Sequence, residues 1–169
     1  MILYHYTSAC HLRAIARHGL TVGDVPTDIH RGGGRIGVWF TSAPTPGGHG
    51  LEGSAVDKKQ YRLAVEVPDD SPLLVRWSEW APKNATAETI GALHSKAAEH
   101  EGEGPASWYV FFGVLQPSTI RLCVETATGT EVENWGEVSP SEMDLPAVPA
   151  WHRHAWHRKL LKSIYRNAK

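Results

Sequence analysis

Cysteine is nearly absent from this chain of 169 residues: Cys10 and Cys123 are the two present, too few for a disulfide framework, and neither stands in a metal-ligand spacing. A reducing, cytoplasmic setting is the expectation. Long apolar runs are missing too. The longest, near Trp108 to Leu115, stops at Gln116-Pro117, short of the roughly 20 residues that cross a bilayer, so a soluble protein with no membrane partner is expected. Met1-Ile2-Leu3-Tyr4 runs straight into a strand pattern without a charged leader or cleavage site, and no signal peptide is expected. Charge of one sign is not in excess either: the formal net charge is -1, so the whole chain announces no polyanionic partner, and only its local distribution can.

What is present fits one domain with an appendage. Ile2 to Tyr6 reads as a buried strand, Ser8 as the cap of a helix through Leu12, Ile15 and Ala16, and Gly19 as its stop. Thr21 to Arg35 shows no periodicity and is expected as a mobile loop around Gly32-Gly33-Gly34. Val38 to Thr41 is a second strand, and Tyr61 to Val67 alternates as a third, with Leu73 to Trp77 pairing beside it. A second helix is expected from a cap at Asn84 or Thr86 through Ile90, Leu93 and Ala97. Two late strands follow, Trp108 to Leu115 and Ile120 to Glu125, broken at Gln116-Pro117. The sum is an α+β domain over residues 1–125. A Pro-rich acidic linker over residues 126–149 and a basic C-terminal helix over residues 150–169 complete it.

The chemistry-bearing segments are His5-Tyr6-Thr7 on the first strand and Gly37-Val38-Trp39-Phe40-Thr41-Ser42 on the second, with a helix and a Gly-Arg loop between them. With the late strand Trp108 to Phe112, this order resembles the ADP-ribosyltransferase superfamily in its branch with His and Tyr motifs, over roughly residues 2 to 125. The resemblance implies a split mixed β-sheet with a few helices, NAD as co-substrate, and transfer of ADP-ribose to a macromolecule. It implies further that His5 hydrogen-bonds a ribose hydroxyl, that the backbone of Tyr6 grips the nicotinamide carboxamide, and that Trp39 takes the place of a ring-stacking tyrosine. Imidazole and indole are thus expected to face each other across one dinucleotide-sized groove. Thr7, Thr41 and Ser42 would tie the two central strands together beneath it, and Gly37 and Phe40 complete the second motif. Arg31 and Arg35, flanking the glycines, are candidate partners for the pyrophosphate.

The pattern departs from the family at its third motif, a glutamate heading a late strand, where Trp108 stands. Glu103 is the first candidate to replace it, with Glu101 beside it. The same departure suits the RNA 2'-phosphotransferase branch, which shares the fold, and also a non-catalytic binding module. Each residue has a plainer reading: His5 as a satisfied core histidine, Trp39 as core packing, Glu103 as a solvated loop charge, the triglycine as a connector. No Lys-Ser or Lys-Thr follows those glycines, so a P-loop is not expected. His152, His154 and His157 scatter around a helix, and no metal site is expected. The tail from Trp151 to Lys169 contains no acidic residue, and its Arg153, Arg158, Lys159 and Lys162 are candidate contacts to DNA or RNA, which favours a nucleic acid over a protein as acceptor. A bacterial or phage toxin, defence factor or modification enzyme would fit such a chain.

Overall fold

The computed structural model describes residues 1–51 and 56–140; the expected C-terminal helix, with Arg153, Arg158, Lys159 and Lys162, and the end of the linker lie outside the described residues. The fold is α+β. Seven strands form one sheet in the order β6-β7-β4-β1-β5-β8-β9, and β2 and β3 form a separate hairpin. The elements are β1 (Ile2–Thr7), α1 (Ala9–His18), β2 (Asp24–Asp28), β3 (Gly33–Ile36), β4 (Val38–Thr41), β5 (Tyr61–Glu66), β6 (Leu74–Arg76), α2 (Trp77–Asn84), α3 (Ala87–Ala98), β7 (Trp108–Phe111), β8 (Ile120–Glu125) and β9 (Thr130–Glu131). Every pairing among these strands is antiparallel, where a mixed sheet was expected.

Both faces of the sheet are covered, which is why β7 reads as an unbroken apolar run rather than an alternating one. Side chains alternate along a strand. Val38 and Phe40 of β4, with Tyr109 and Phe111 of β7, join Leu3, Leu12, Ile15 and Leu63 in one core beneath α1. Trp108 and Val110 go the other way, into a second core with Val25, Trp77, Ala81 and Ala97, against which Trp39 packs. Fully burying a side chain the size of leucine or phenylalanine contributes about 1.5–3 kcal/mol. Apolar positions committed to two cores on two faces therefore fix the register of the central strands.

The region expected as a mobile loop contains the β2–β3 hairpin instead. Asp28 accepts hydrogen bonds from the backbone of His30 (3.1 Å) and Arg31 (3.0 Å), closing the turn. The fully buried Val25 anchors the hairpin to the second core. The Thr27 carbonyl accepts from Thr86 N–H (2.8 Å), and Ile29 N–H donates to Thr89 Oγ1 (3.0 Å), so α3 pins its tip. With three glycines and a proline in so short a stretch, no alternation of side chains was there to be read.

Other expectations are corrected in the same way. β6 pairs with β7 rather than with β5. Trp77 does not end a strand but opens α2, a helix hidden by its internal Pro82. Thr86 caps α3, its hydroxyl accepting from Thr89 N–H (3.2 Å). Residues 126–140 are more than a linker: β9 extends the sheet beside β8, and Val132, Trp135 and Val138 pack on the first core.

Gly19 ends α1 at φ +77°, its N–H donating to the Ile15 carbonyl, and the chain turns there toward the cleft. A Cβ at this position would lie 2.0 Å from the Leu115 carbonyl oxygen, which accepts a hydrogen bond from Leu20 N–H. Gly19→Ala is therefore expected to lower unfolding stability by roughly 2–4 kcal/mol, through backbone strain and loss of that bridge. Urea denaturation checks this; a loss below about 0.5 kcal/mol would refute the constraint.

Candidate functional site

One cavity of about 880 Å³ opens where β1 and β4 meet the end of α1. Its walls are Tyr4 to Thr7 of β1, Trp39 to Thr41 of β4, the inner side of α1 at His11 and His18, the turn from Gly19 to Asp24, and parts of the β4–β5 connection at His49 and Lys58. The two segments singled out in the sequence thus border a single space. β1 pairs with β5 along its whole length, whereas its register with β4 is the single pair Tyr4 with Thr41. The β1–β4 side is the seam of the sheet.

A side chain crosses that seam. His5 Nδ1 lies 2.9 Å from the Trp39 carbonyl oxygen. A carbonyl only accepts, so Nδ1 carries the proton and Nε2 of the neutral ring keeps its lone pair. Burial, and then the charges of Lys58 and His11, hold the imidazole down to about 4 from its ordinary 6.5, against the bond to Trp39, which favours the charged form. At neutral pH His5 is accordingly an uncharged hydrogen-bond acceptor, half-buried at the cavity wall. That suits a hydroxyl, not an anion.

The two rings do not face each other as expected. Because Tyr4 is level with Thr41, His5 is level with Phe40 and Tyr6 with Trp39, so the imidazole and the indole leave opposite faces of the sheet. The imidazole meets the Phe40 ring edge-on at 5.8 Å. The indole packs against Trp77 (4.9 Å) and Trp108 (5.7 Å), and its N–H donates to the Asp24 carbonyl (2.8 Å). Both nevertheless border the same cavity. Trp39 is a wall joined to the second core, and Tyr6 is the residue of β1 level with it on that face.

The short hydroxyls do not bridge the central strands either. Thr7 Oγ1 contacts His11 Nδ1 (3.3 Å), and Thr41 Oγ1 donates to Ser107 Oγ (2.8 Å), fastening β4 to the turn before β7. Ser42 is exposed and outside the cavity. Gly37 also lies outside it, packed so closely that a Cβ would come 2.8 Å from Val110 Cγ1. Arg31 is exposed and paired with Asp28 (3.8 Å). Arg35 stacks over Phe112 (4.1 Å) on the outside of the second core. Glu103 is exposed at the head of the turn Gly104–Ser107. None of these last three borders the cavity.

Other residues take their places. His49 stacks on Tyr6 (5.5 Å); its Nε2 lies 2.8 Å from the Thr45 carbonyl, and its Nδ1 accepts from Trp108 Nε1 (3.2 Å). Trp108 therefore holds a histidine in the cavity wall. Burial pushes the Tyr6 phenol up to about 12, keeping it protonated, against the opposing influence of Arg62. The described lining carries His5, His11, His18, His49 and Lys58 against a single carboxylate, Asp24. His11 could have been flagged as the polar member of the α1 face that looks at β1; nothing in the loop around Lys58 marks it out.

Among the described residues no helix is long and apolar enough to cross a membrane, and no group of three or more His, Cys, Asp or Glu side chains could hold a metal ion. Compared with models of protein families, with curated proteins and with solved structures, the chain matches none.

The depressed His5 has a definite pH signature. Its folded value lies below the unfolded one, so the stability it contributes is present above about pH 6.5 and is lost as pH falls toward about 4. Nitrogen-15 NMR is expected to show His5 neutral, protonated on Nδ1, between about pH 5 and 6, well below the ordinary histidine value. A midpoint near the free-histidine value of about 6.5 would overturn the buried, carbonyl-bound assignment.

Proposed function

We propose that this chain has an ADP-ribosyltransferase-like fold, binds NAD in the cavity at the β1–β4 seam and transfers its ADP-ribose to a macromolecule, a nucleic acid before a protein. One observation carries the reading: the His5-Tyr6-Thr7 and Trp39-Phe40-Thr41 segments border one cavity of about 880 Å³, within the range of small-ligand sites. His5 supports it in detail, since an imidazole fixed as an acceptor is the partner that a ribose hydroxyl requires. The reaction breaks the bond between the ribose C1' and nicotinamide, which leaves as a neutral molecule, and forms a bond from C1' to an acceptor atom that gives up its proton. Fixing the ribose through a hydroxyl that His5 orients limits the motion that competes with attack at C1'. α1 carries Arg13 and Arg17 on exposed positions and no acidic residue, which suits a polyanionic acceptor near the cavity.

A second reading, removal of a 2'-phosphate from RNA with NAD as acceptor, is favoured by the lining itself. Imidazoles and Lys58 dominate it, and no glutamate is among its described members. Both readings require NAD, and the label separates them. With NAD labelled in the adenylate moiety and pools of DNA, RNA and protein, transfer is expected to one pool, most strongly a nucleic acid, and His5→Ala is expected to lower it by about a hundredfold or more. Loss of the 2'-phosphate from a 2'-phosphorylated RNA onto a labelled ADP-ribose product, with nicotinamide released and no label retained on the RNA, would select the second reading. Neither product, with no thermal stabilisation by millimolar NAD, would sink both.

A further inference from the structure

The cavity contains a cluster that the resemblance did not assign. Lys58, from the connection between β4 and β5, and His11, from the first turn of α1, both line it on the side of His5. Among the described residues no carboxylate lies within ion-pair distance of Lys58. The Lys58 side chain is half-buried, and a cation in such a wall with no described carboxylate beside it favours the approach of an anion. Its field is felt by both neighbours: burial first, and Lys58 next, pull His11 below the ordinary histidine value, and Lys58 also acts on His5. The cation candidates from the sequence, Arg31 and Arg35, are spent elsewhere, on Asp28 and on the Phe112 ring.

We propose that Lys58 and His11 form a phosphate subsite of this cavity, which takes the diphosphate of a nucleotide whose ribose hydroxyl donates to His5. The proposal deepens the NAD reading and rests on the same cavity, but its chemistry is that of any ribonucleoside diphosphate. Lys58 supplies a point charge that needs no fixed geometry. His11, held by Thr7 Oγ1 at 3.3 Å, supplies an imidazole that gains a proton when an anion arrives, since the anion both offsets the Lys58 field and favours the charged ring. A cationic stretch of wall at Lys58 and His11 next to a neutral acceptor then selects a nucleotide over a nucleoside.

The test measures adenosine, ADP, inorganic pyrophosphate and NAD binding by calorimetry on the full chain and on Lys58→Ala, Lys58→Arg, His11→Gln and the control Arg31→Ala. Circular dichroism and melting temperature establish that each variant is folded. Lys58→Ala is expected to weaken ADP, pyrophosphate and NAD by about tenfold or more, the loss of one charge-assisted contact, and to leave adenosine unchanged. Lys58→Arg should retain most of the affinity, and Arg31→Ala all of it. NMR should show the His11 ring taking up a proton when pyrophosphate is added to the parent chain, a response that a purely structural histidine would not give. Equal ADP affinity in Lys58→Ala and parent, an equal loss for adenosine, or no pyrophosphate binding by the parent would each overturn the subsite. If ADP and pyrophosphate bind through Lys58 while NAD neither binds nor reacts, the subsite stands and the NAD reading falls; if NAD reacts undiminished in Lys58→Ala, the reverse holds.

Discussion

The site depends on the hydrogen bond from His5 Nδ1 to the Trp39 carbonyl, which joins two strands that are otherwise in register at one pair of residues. A backbone carbonyl left unmatched inside a fold costs about 1–3 kcal/mol, so the imidazole that satisfies it is held firmly. The same bond decides the chemistry, because a ring that donates through Nδ1 can offer only a lone pair at Nε2. Burial then keeps the ring neutral. A contact that stabilises the seam of the sheet thus also prepares an acceptor in the cavity wall, and the two roles cannot be changed independently.

Around this bond the tryptophans form a rigid frame. Trp39, Trp77 and Trp108 crowd together with ring centres 4.9 to 6.4 Å apart, and each indole N–H finds an acceptor: the Asp24 carbonyl, His94 Nε2 and His49 Nδ1. Aromatic groups of this size dominate the energetics of a core, and a buried indole N–H without a partner would offset much of that gain. The frame reaches from the β2–β3 hairpin through the sheet to α2 and α3, so the Trp39 wall moves only with the second core.

How much of this was legible follows from which signals are local. The strands β1, β4, β5, β7 and β8 and the helices α1 and α3 were readable, because each carries its own periodicity or end signals, Gly19 and Thr86 among them. Ser8 stands at the N-cap of α1 as expected, but its hydroxyl donates to Gln60 Oε1 (2.9 Å), which also accepts from Ala9 N–H (2.8 Å), and makes no cap bond. The hairpin was not, since Gly33, Gly34 and Pro26 erase alternation and its order comes from contacts with residues sixty positions away, such as Ile29 with Thr89. α2 was hidden by Pro82, and β9 by its brevity. Of the site, the segments that border the cavity were readable as segments. The facing of their side chains was not: one residue of register separates a His5 that shares a face with Trp39 from one that shares it with Phe40. Lys58 and His49 carry no sequence signal, because what brings them to the cavity is the packing of a connection rather than a periodic element.

That lining bears on how the proposed reaction could run without a glutamate. NAD enters with a positive charge on its nicotinamide ring, and bond cleavage moves that charge onto the ribose as the neutral ring departs. A cavity wall bearing the Lys58 ammonium opposes positive charge in both states, so by itself it offers the transition state no advantage. The ligand's own diphosphate changes the balance. Seated against Lys58 and His11, it would offset the cationic charge that otherwise repels the developing ribose charge. The neutral state of His5 matters for the same reason, since an imidazolium at that wall would bring a second positive charge close to C1'. On this reasoning the substrate supplies part of the electrostatic work that a carboxylate performs elsewhere. In the proposed reaction the chain's task would be to hold the diphosphate and the ribose at a fixed separation, with Lys58 at one end and the lone pair of His5 at the other.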